Sequence, residues 1–130
     1  MVNTILAVDK DAAVHNREST EWLLHGINAL RVNTMIEAID LLTRGNDFLF
    51  IAINEDTIPD FMEKLPVMRE TTLLPIFVIT SNYTIEKKVK AMYAGADVYD
   101  HFSSYAKKDV LGALASLTAQ NRLAKRTPKP

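Results

Sequence analysis

Five short apolar runs alternate along the chain with segments of helical periodicity, and this alternation restricts the possible folds most strongly. Each run is rich in β-branched or aromatic residues and has the length of one strand; the runs cover residues 4–8, 27–32, 48–53, 76–79 and 98–102. Short loops between strands and helices predict parallel strands joined by right-handed crossovers. The sequence therefore predicts an α/β fold, a doubly wound five-stranded parallel sheet with helices on both faces.

The helical segments have recognisable ends. Asp11 is the predicted N-cap of the first helix. Glycine commonly follows the last turn of a helix, so the second and fourth helices should end at Gly45 and Gly95. Pro66 lies within the third segment and is expected to break or kink it, because proline lacks the N–H that a helix interior needs. A fifth helix is predicted over about residues 106 to 125.

Four of these helices have an apolar face that is predicted to pack on the sheet. The faces consist of Met35, Ile36, Ile39 and Leu42; Ile58, Phe61, Met62, Leu65 and Met68; Ile85, Val89 and Met92; and Val110, Leu111, Leu114 and Leu117. On the fourth helix, the lysines at positions 87, 88 and 90 are expected to point to solvent.

Composition excludes several classes of protein. The chain has 130 residues, the size of one domain, and no cysteine, so disulfides, thiolate zinc sites and cysteine nucleophiles are ruled out. The N-terminal residues do not resemble a signal peptide and no apolar run has the length of a membrane span, so the domain is predicted to be cytoplasmic. A net charge of −1 gives no general attraction to nucleic acid or anionic membranes.

The C-terminal residues differ from the rest in composition. Residues 1–121 are predicted to form one domain, and residues 122–130 a basic, proline-containing tail or the start of a linker. The cations of this segment are Arg122, Lys125, Arg126 and Lys129. A linker would lead to an effector such as a DNA-binding domain, whereas a tail would be a solvated helix end.

Common catalytic motifs are absent from the sequence. The loop after the first run, DKDAA, has no glycine to bring backbone N–H groups to a phosphate, which argues against a nucleotide site. The three histidines, His15, His25 and His101, lack metal-ligand spacing and are predicted to be surface or half-buried residues. In doubly wound sheets the functional crevice lies beyond the carboxyl ends of the strands. The residues to consider are therefore 9–11, 52–56, 80–82 and 102–104.

Four runs at these strand ends, ILAVDKD, DFLFIAIN, LPIFVITS and AGADVYDHF, resemble in order and spacing the receiver domain of bacterial two-component response regulators. The resemblance covers about residues 3 to 117 and implies a flavodoxin-like fold. It also implies a pocket in which a carboxylate at the end of the third strand accepts a phosphoryl group. Two acids after the first strand hold magnesium there, and a hydroxyl and a lysine end the fourth and fifth strands.

This sequence keeps only part of that pocket. By resemblance, Asp9 matches the first acid, Lys10 falls on the second and is followed by Asp11, and Thr80 matches the hydroxyl. Tyr99 matches the aromatic residue that in such receivers often responds to the switch between states. The position of the phosphoryl acceptor falls on Ala52, and the position of the lysine falls on Phe102. Each of Asp9, Thr80 and Tyr99 also has a purely structural interpretation: a strand-end acid that pairs with Lys10 or caps the next turn, a satisfied hydroxyl, and a half-buried sheet aromatic.

The departures predict a pseudo-receiver that is not an enzyme and has no catalytic residues and no cofactor. A methyl group at Ala52 has no lone pair with which to attack phosphorus. An ammonium at Lys10 opposes a divalent cation, so magnesium is expected to bind weakly or not at all. Phe102 removes the charge that would hold a phosphoryl group.

Two alternatives remain open. Glu55 or Asp56 could accept a phosphoryl group with magnesium, although a strand rise of about 3.3 Å per residue would carry them roughly 10 Å past the pocket unless the loop folds back. A small ligand could instead bind in the altered pocket.

The resemblance also implies a partner surface. Many receivers form homodimers through the fourth helix, fifth strand and fifth helix. The candidate contacts here are Lys87, Lys88, Lys90, Asp97, Asp100 and Lys107, whose mixed signs a two-fold axis could pair. No direct nucleic-acid or membrane contact is expected.

Overall fold

The computed structural model describes residues 3–101 and contains one parallel sheet with four helices in that range. The strands are β1 (Thr4–Val8), β2 (Asn28–Val32), β3 (Ile51–Asn54), β4 (Ile76–Thr80) and β5 (Val98–His101). The helices are α1 (Ala12–Leu23), α2 (Met35–Thr43), α3 (Phe61–Thr71) and α4 (Ile85–Ala94). The strand order is β2-β1-β3-β4-β5 and every pairing is parallel, which confirms the predicted fold class.

Two apolar cores cover the two faces of the sheet. The larger core joins one face to α2, α3 and α4, and the residues at its centre include Leu6, Ile53 and Leu65. The smaller core is aromatic: Trp22 at the end of α1 lies edge-on to Phe50, with ring centroids 5.5 Å apart. Because apolar residues alternate between the two cores along β1, the strand is buried on both faces.

The helix ends agree well with the sequence signals. The Asp11 carboxylate accepts a hydrogen bond from the N–H of Ala13, as expected of an N-cap. Threonine hydroxyls at positions 34 and 84 cap α2 and α4 in the same way. Gly95 ends α4 with a φ of 129°, and a side chain there would meet Arg69, because an added Cβ would lie 2.7 Å from the Arg69 Cβ. The position therefore requires glycine.

The helices differ from their predictions at several residues. The helix α3 continues through Pro66, so the predicted break does not occur there. In α4, the predicted inward face is exposed: Ile85 is 72% exposed, Val89 52% and Met92 41%. The buried residue of this helix is Ala91, and a methyl side chain lets the α4 backbone pack closely with its bulkier apolar residues facing outward. Ile36 of α2 is exposed as well, contrary to prediction.

Several predictions concern residues outside the described range. These are the fifth helix at about 106–125, Phe102, Lys107 and the basic segment 122–130. Between residues 3 and 101, no helix has the length and apolar character needed to cross a membrane.

Candidate functional site

The carboxyl ends of β1, β3 and β4 bring acidic and hydroxyl side chains together at one edge of the sheet. Strand order reverses between β1 and β3, so a crevice is expected beyond this edge. Asp9 follows β1, Glu55 follows β3, and Thr80 ends β4 beside β5. Three segments that are distant in sequence thus form one polar cluster.

Glu55 is the centre of this cluster. The Thr80 hydroxyl donates to Glu55 Oε2 over 2.7 Å, and the Tyr99 hydroxyl donates to Oε1 over 2.8 Å. Thr80 is 0% exposed and Tyr99 1%, so both hydroxyls are withdrawn from water and need a partner inside the protein. One carboxylate therefore satisfies both buried donors. The Tyr99 side chain is buried instead of half-buried as predicted, and its role as a switch or interface residue stays a prediction.

The protonation of Tyr99 follows from this environment. Burial raises the pKa of the Tyr99 phenol well above its ordinary value, and the hydrogen bond to Glu55 and its negative charge raise the pKa further. The phenol therefore stays neutral and keeps its proton as a hydrogen-bond donor.

A lysine of α4 places a cation beside Glu55. Lys87 Nζ lies 3.6 Å from Glu55 Oε2 and 3.4 Å from the backbone oxygen of Asn82. Its side chain is 41% exposed, whereas that of Glu55 is 15% exposed. The lysine that the resemblance places at the end of the fifth strand falls on Phe102, outside the described residues. In this pocket a cation approaches the carboxylate from α4.

The position of Glu55 corrects the sequence interpretation. Ala52 lies inside β3, where it pairs with Ala7 and Phe77 and packs against the aromatic core, so its predicted place in the pocket is wrong. The strand runs on to Asn54, and then the chain folds back: the N–H groups of Thr57 and Ile58 both donate to the Asn54 carbonyl. This turn directs Glu55 towards Thr80 instead of past it. The expected overshoot of Glu55 does not occur.

The Asn54 side chain accounts for the turn. Its Oδ1 accepts a hydrogen bond from the N–H of Asp56, two residues ahead, an arrangement that asparagine favours at strand ends. The segment NEDT after an apolar run was the signal that sequence reasoning missed. Asp56 itself is exposed, and its Oδ1 accepts from the Ser81 N–H at 3.2 Å.

Asp9 is buried and has a different set of partners. Its Oδ1 accepts from the Asp11 N–H at 2.8 Å and from the Thr57 hydroxyl at 2.8 Å, and its Oδ2 accepts from the Asn54 amide at 3.1 Å. Lys10 is exposed, and its backbone N–H donates to Thr57. Asp9 therefore connects the turn after β1 to the loop after β3, consistent with its structural interpretation as a capping acid.

These residues do not fit the magnesium ion that such folds often bind. Magnesium needs several oxygen lone pairs. The Asp9 carboxylate instead faces an amide N–H, a hydroxyl donor and a backbone N–H, and Glu55 faces two hydroxyl donors. Within residues 3–101, no three acidic or histidine side chains are grouped to hold a metal.

A cleft of about 350 Å³ opens beside Glu55, between the loop after β3 and α4. It is lined by Glu55 and Asp56 of the loop after β3, by the apolar side chains of Pro59, Phe61 and Met62, and by Asn82, Lys87 and Lys90. Asp9, Lys10, Asp11, Ala52 and Thr80, the described residues of the predicted altered pocket, are not among those that line this cleft, whereas Glu55 and Asp56, the predicted alternative acceptors, are.

The predicted interface residues have different surroundings. The Asp97 Oδ2 accepts from Arg69 at 2.9 Å and from the Ile76 N–H at 2.8 Å, so this carboxylate already has partners within the domain, and its role as a surface contact stays a prediction. Lys90 pairs with Glu86 on the surface of α4. Lys88 and Asp100 are half-buried. The histidines fit their prediction, since His15 and His101 are half-buried and His25 is exposed.

Comparison with sequence families found no matching family model, and no curated protein matched. Solved structures do match. A response regulator receiver domain protein (CheY-like) from Methanospirillum hungatei JF-1 superposes with a TM-score of 0.76 and 19% identity, covering 95% of this chain and 99% of that one. The beryllofluoride-activated NtrC4 receiver domain dimer gives 0.76 and 18%, covering 92% and 99%.

A response regulator from Burkholderia pseudomallei, solved with a phosphorylated aspartic acid, calcium ion and citrate, gives a TM-score of 0.75 and 20% identity. The match covers 97% of this chain and 75% of that one. Together with the β2-β1-β3-β4-β5 order, these matches show that this chain has the fold of response regulator receiver domains.

Proposed function

We propose that this chain is a signalling domain of the receiver type whose output does not depend on aspartyl phosphorylation. The single observation that supports the proposal is the Glu55 carboxylate, which accepts hydrogen bonds from both Thr80 and Tyr99. By resemblance, Thr80 and Tyr99 are the hydroxyl and the aromatic residue that respond to a phosphoryl group. In this chain they already have an anionic partner that belongs to the protein itself.

The surroundings of Glu55 disfavour phosphoryl transfer in two further ways. Both of its oxygens accept charge-assisted hydrogen bonds, which stabilise the carboxylate and lower its reactivity as a nucleophile. The donors around Asp9 leave no suitable set of ligands for a magnesium ion that would neutralise the incoming phosphoryl group.

The test is phosphorylation by a small-molecule donor. Purified protein is incubated with acetyl phosphate and magnesium, and its intact mass is measured without acid quenching. We expect an unchanged mass. A labile adduct with the mass of one phosphoryl group would contradict the proposal.

The second candidate is a receiver that accepts a phosphoryl group on Asp56 or Glu55. Asp56 favours it, because its carboxylate is exposed at the rim of the cleft and its Oδ1 lies 3.5 Å from the Thr80 hydroxyl. The response regulator from Burkholderia pseudomallei carries a phosphorylated aspartic acid. If an adduct forms, comparing Asp56→Asn with Glu55→Gln identifies the acceptor, because only the variant of the reacting residue loses the adduct.

We further propose that the output is a contact with a second copy of this chain. On α4, the side chains of Ile85, Val89, Met92 and Tyr93 recur at helical spacing and all are exposed, with Tyr93 92% exposed; we call them the α4 apolar stripe. Glu86 and Lys90 lie beside the stripe with opposite charges. A two-fold axis would place each charge near its opposite, and the apolar stripe would supply most of the affinity. The beryllofluoride-activated NtrC4 receiver domain was solved as a dimer.

A further inference from the structure

The cleft between the loop after β3 and α4 has the dimensions of a ligand site. Its volume of about 350 Å³ falls at the lower end of the range of about 300–1,000 Å³ typical of small-molecule sites. Its lining includes apolar side chains: Pro59 is exposed and Met62 is half-buried, whereas Phe61 beneath them is only 2% exposed. An apolar group that contacts Pro59 and Met62 would be removed from water.

The acidic and the basic side chains that line the cleft differ in how fully they are hydrogen-bonded within the protein. Both oxygens of Glu55 accept short hydrogen bonds, and Asp56 Oδ1 accepts a hydrogen bond from the N–H of Ser81. These partners are buried hydroxyls or backbone groups that a ligand could not replace without leaving them unsatisfied. The carboxylates of Glu55 and Asp56 therefore mainly hold the loop after β3 in place.

The two lysines that line the cleft have weaker partners than the two acids. Lys87 and Lys90 lie three residues apart on α4 and so project from the same side of the helix into the cleft. Lys87 has its acceptors at 3.4 and 3.6 Å, which is long for an ammonium group. Lys90 pairs with Glu86 at 3.3 Å, but the two side chains are 65% and 79% exposed, so water competes for this pair.

From these observations we infer that the cleft binds a small organic anion whose apolar part contacts Pro59 and Met62 and whose carboxylate or phosphate group pairs with Lys87 and Lys90. Each ammonium group carries three donors and can form charge-assisted hydrogen bonds with such an anion. The carboxylates of Glu55 and Asp56 repel an anion, so we expect its charged group at the lysines of α4. The inference is independent of whether any residue of the pocket is phosphorylated.

The experiment is a titration of the full chain followed by amide chemical shifts in NMR. The probes are benzoate and phenyl phosphate, at millimolar concentration, with benzylamine as the cationic control of similar shape. We expect saturable shifts at Met62, Asn82, Lys87 and Lys90 with at least one of the two anions, and none with benzylamine. The two anions distinguish a carboxylate ligand from a phosphate ligand.

Two variants test the assigned lysines. Lys90→Gln should weaken binding of the anionic probe about tenfold, the loss of one charge-assisted hydrogen bond. Lys88→Gln, on the same helix but outside the cleft, should leave the affinity unchanged. The inference is overturned if neither anion gives saturable shifts, if benzylamine binds equally well, or if both variants lose affinity to the same extent. None of these outcomes bears on the acetyl phosphate experiment, so the two proposals fail separately.

Discussion

The Tyr99 hydroxyl donates a 2.8 Å hydrogen bond to Glu55, a residue 44 positions earlier in the chain. The bond connects the loop after β3 to β5, the edge strand of the sheet. Thr80 at the end of β4 donates to the other oxygen of the same carboxylate, so one side chain of the loop after β3 is bonded to both β4 and β5. Because the aromatic ring is 1% exposed, the bond has no competition from water.

Removing the phenolic hydroxyl should therefore destabilise the domain measurably. We expect Tyr99→Phe to lower the free energy of unfolding by about 1.5–3 kcal/mol, the usual contribution of a hydrogen bond to a charged group. The matched control is Tyr83→Phe, since the Tyr83 ring lies beside Tyr99 with centroids 5.8 Å apart but is only half-buried. Urea unfolding followed by circular dichroism measures both variants. If the two variants have the same free energy of unfolding, the hydrogen bond from Tyr99 to Glu55 does not stabilise the domain as described.

The titration of Tyr99 provides a second prediction. Burial and Glu55 raise the pKa of Tyr99, so the folded state holds its phenolic proton more tightly than the unfolded state does. This contribution to stability is complete below the unfolded value of about 10 and is lost as pH rises above it. By ultraviolet absorbance, folded wild type and Tyr99→Phe should show the same tyrosinate signal around that pH. A smaller signal in the variant would mean that Tyr99 titrates normally.

Glu55→Gln separates the causes of this shift. The amide removes the negative charge but keeps most of the volume, so the Tyr99 pKa should fall towards its ordinary value while remaining above it, because burial is the larger cause. Tyrosinate absorbance of the variant should accordingly appear at lower pH than in wild type. An unchanged titration curve would indicate that the Glu55 charge does not act on Tyr99.

The fold could be predicted because strand and helix segments differ in composition along the chain. The run IFVIT of β4 is entirely buried and ends at Thr80, one residue beyond the predicted end. The end of β3 could not be predicted in the same way, because the run FLFIAI is continuously apolar and has no alternation to mark a boundary. Its end depends on the Asn54 turn, and an error of three residues moved the predicted acceptor position from Glu55 to Ala52.

The buried face of α4 was mispredicted for a different reason. A hydrophobic pattern selects the face with the largest apolar residues, here Ile85, Val89 and Met92. Packing against the larger core instead uses Ala91, which is 0% exposed. A helix can pack close to the sheet where its side chains are small. A prediction based on the largest apolar side chains therefore gives too little weight to a residue such as Ala91.

Arg69 should be a major stabilising residue, although it lies on the surface-facing side of α3. Its guanidinium donates to the carbonyls of Thr72, Leu74 and Gly95 and to Asp97, so it joins the end of α3 to the turn before β5. We expect Arg69→Met to lower the free energy of unfolding by about 3 kcal/mol, because it leaves part-buried acceptors and the Asp97 charge without their partner.

The control for this variant is Arg44→Met. Arg44 pairs with Asp40 at 3.1 Å, but the side chains are 70% and 54% exposed, so its loss should cost less than about 0.5 kcal/mol. Both are measured by urea unfolding at the same pH and salt concentration. If the two substitutions have similar effects, the Arg69 cluster does not stabilise the fold as described.

The α4 apolar stripe predicts the oligomeric state. Val89 is its central member and is 52% exposed, so a charge there should disturb an interface without disturbing the core. We expect wild type to form a dimer that dissociates on dilution, and Val89→Glu to be monomeric with unchanged circular dichroism. Leu73→Glu is the matched control, because Leu73 is 44% exposed but lies after α3, outside the stripe. Sedimentation velocity over a range of concentrations distinguishes the cases. A monomeric wild type, or a dimer that only Leu73→Glu disrupts, would remove α4 as the contact surface.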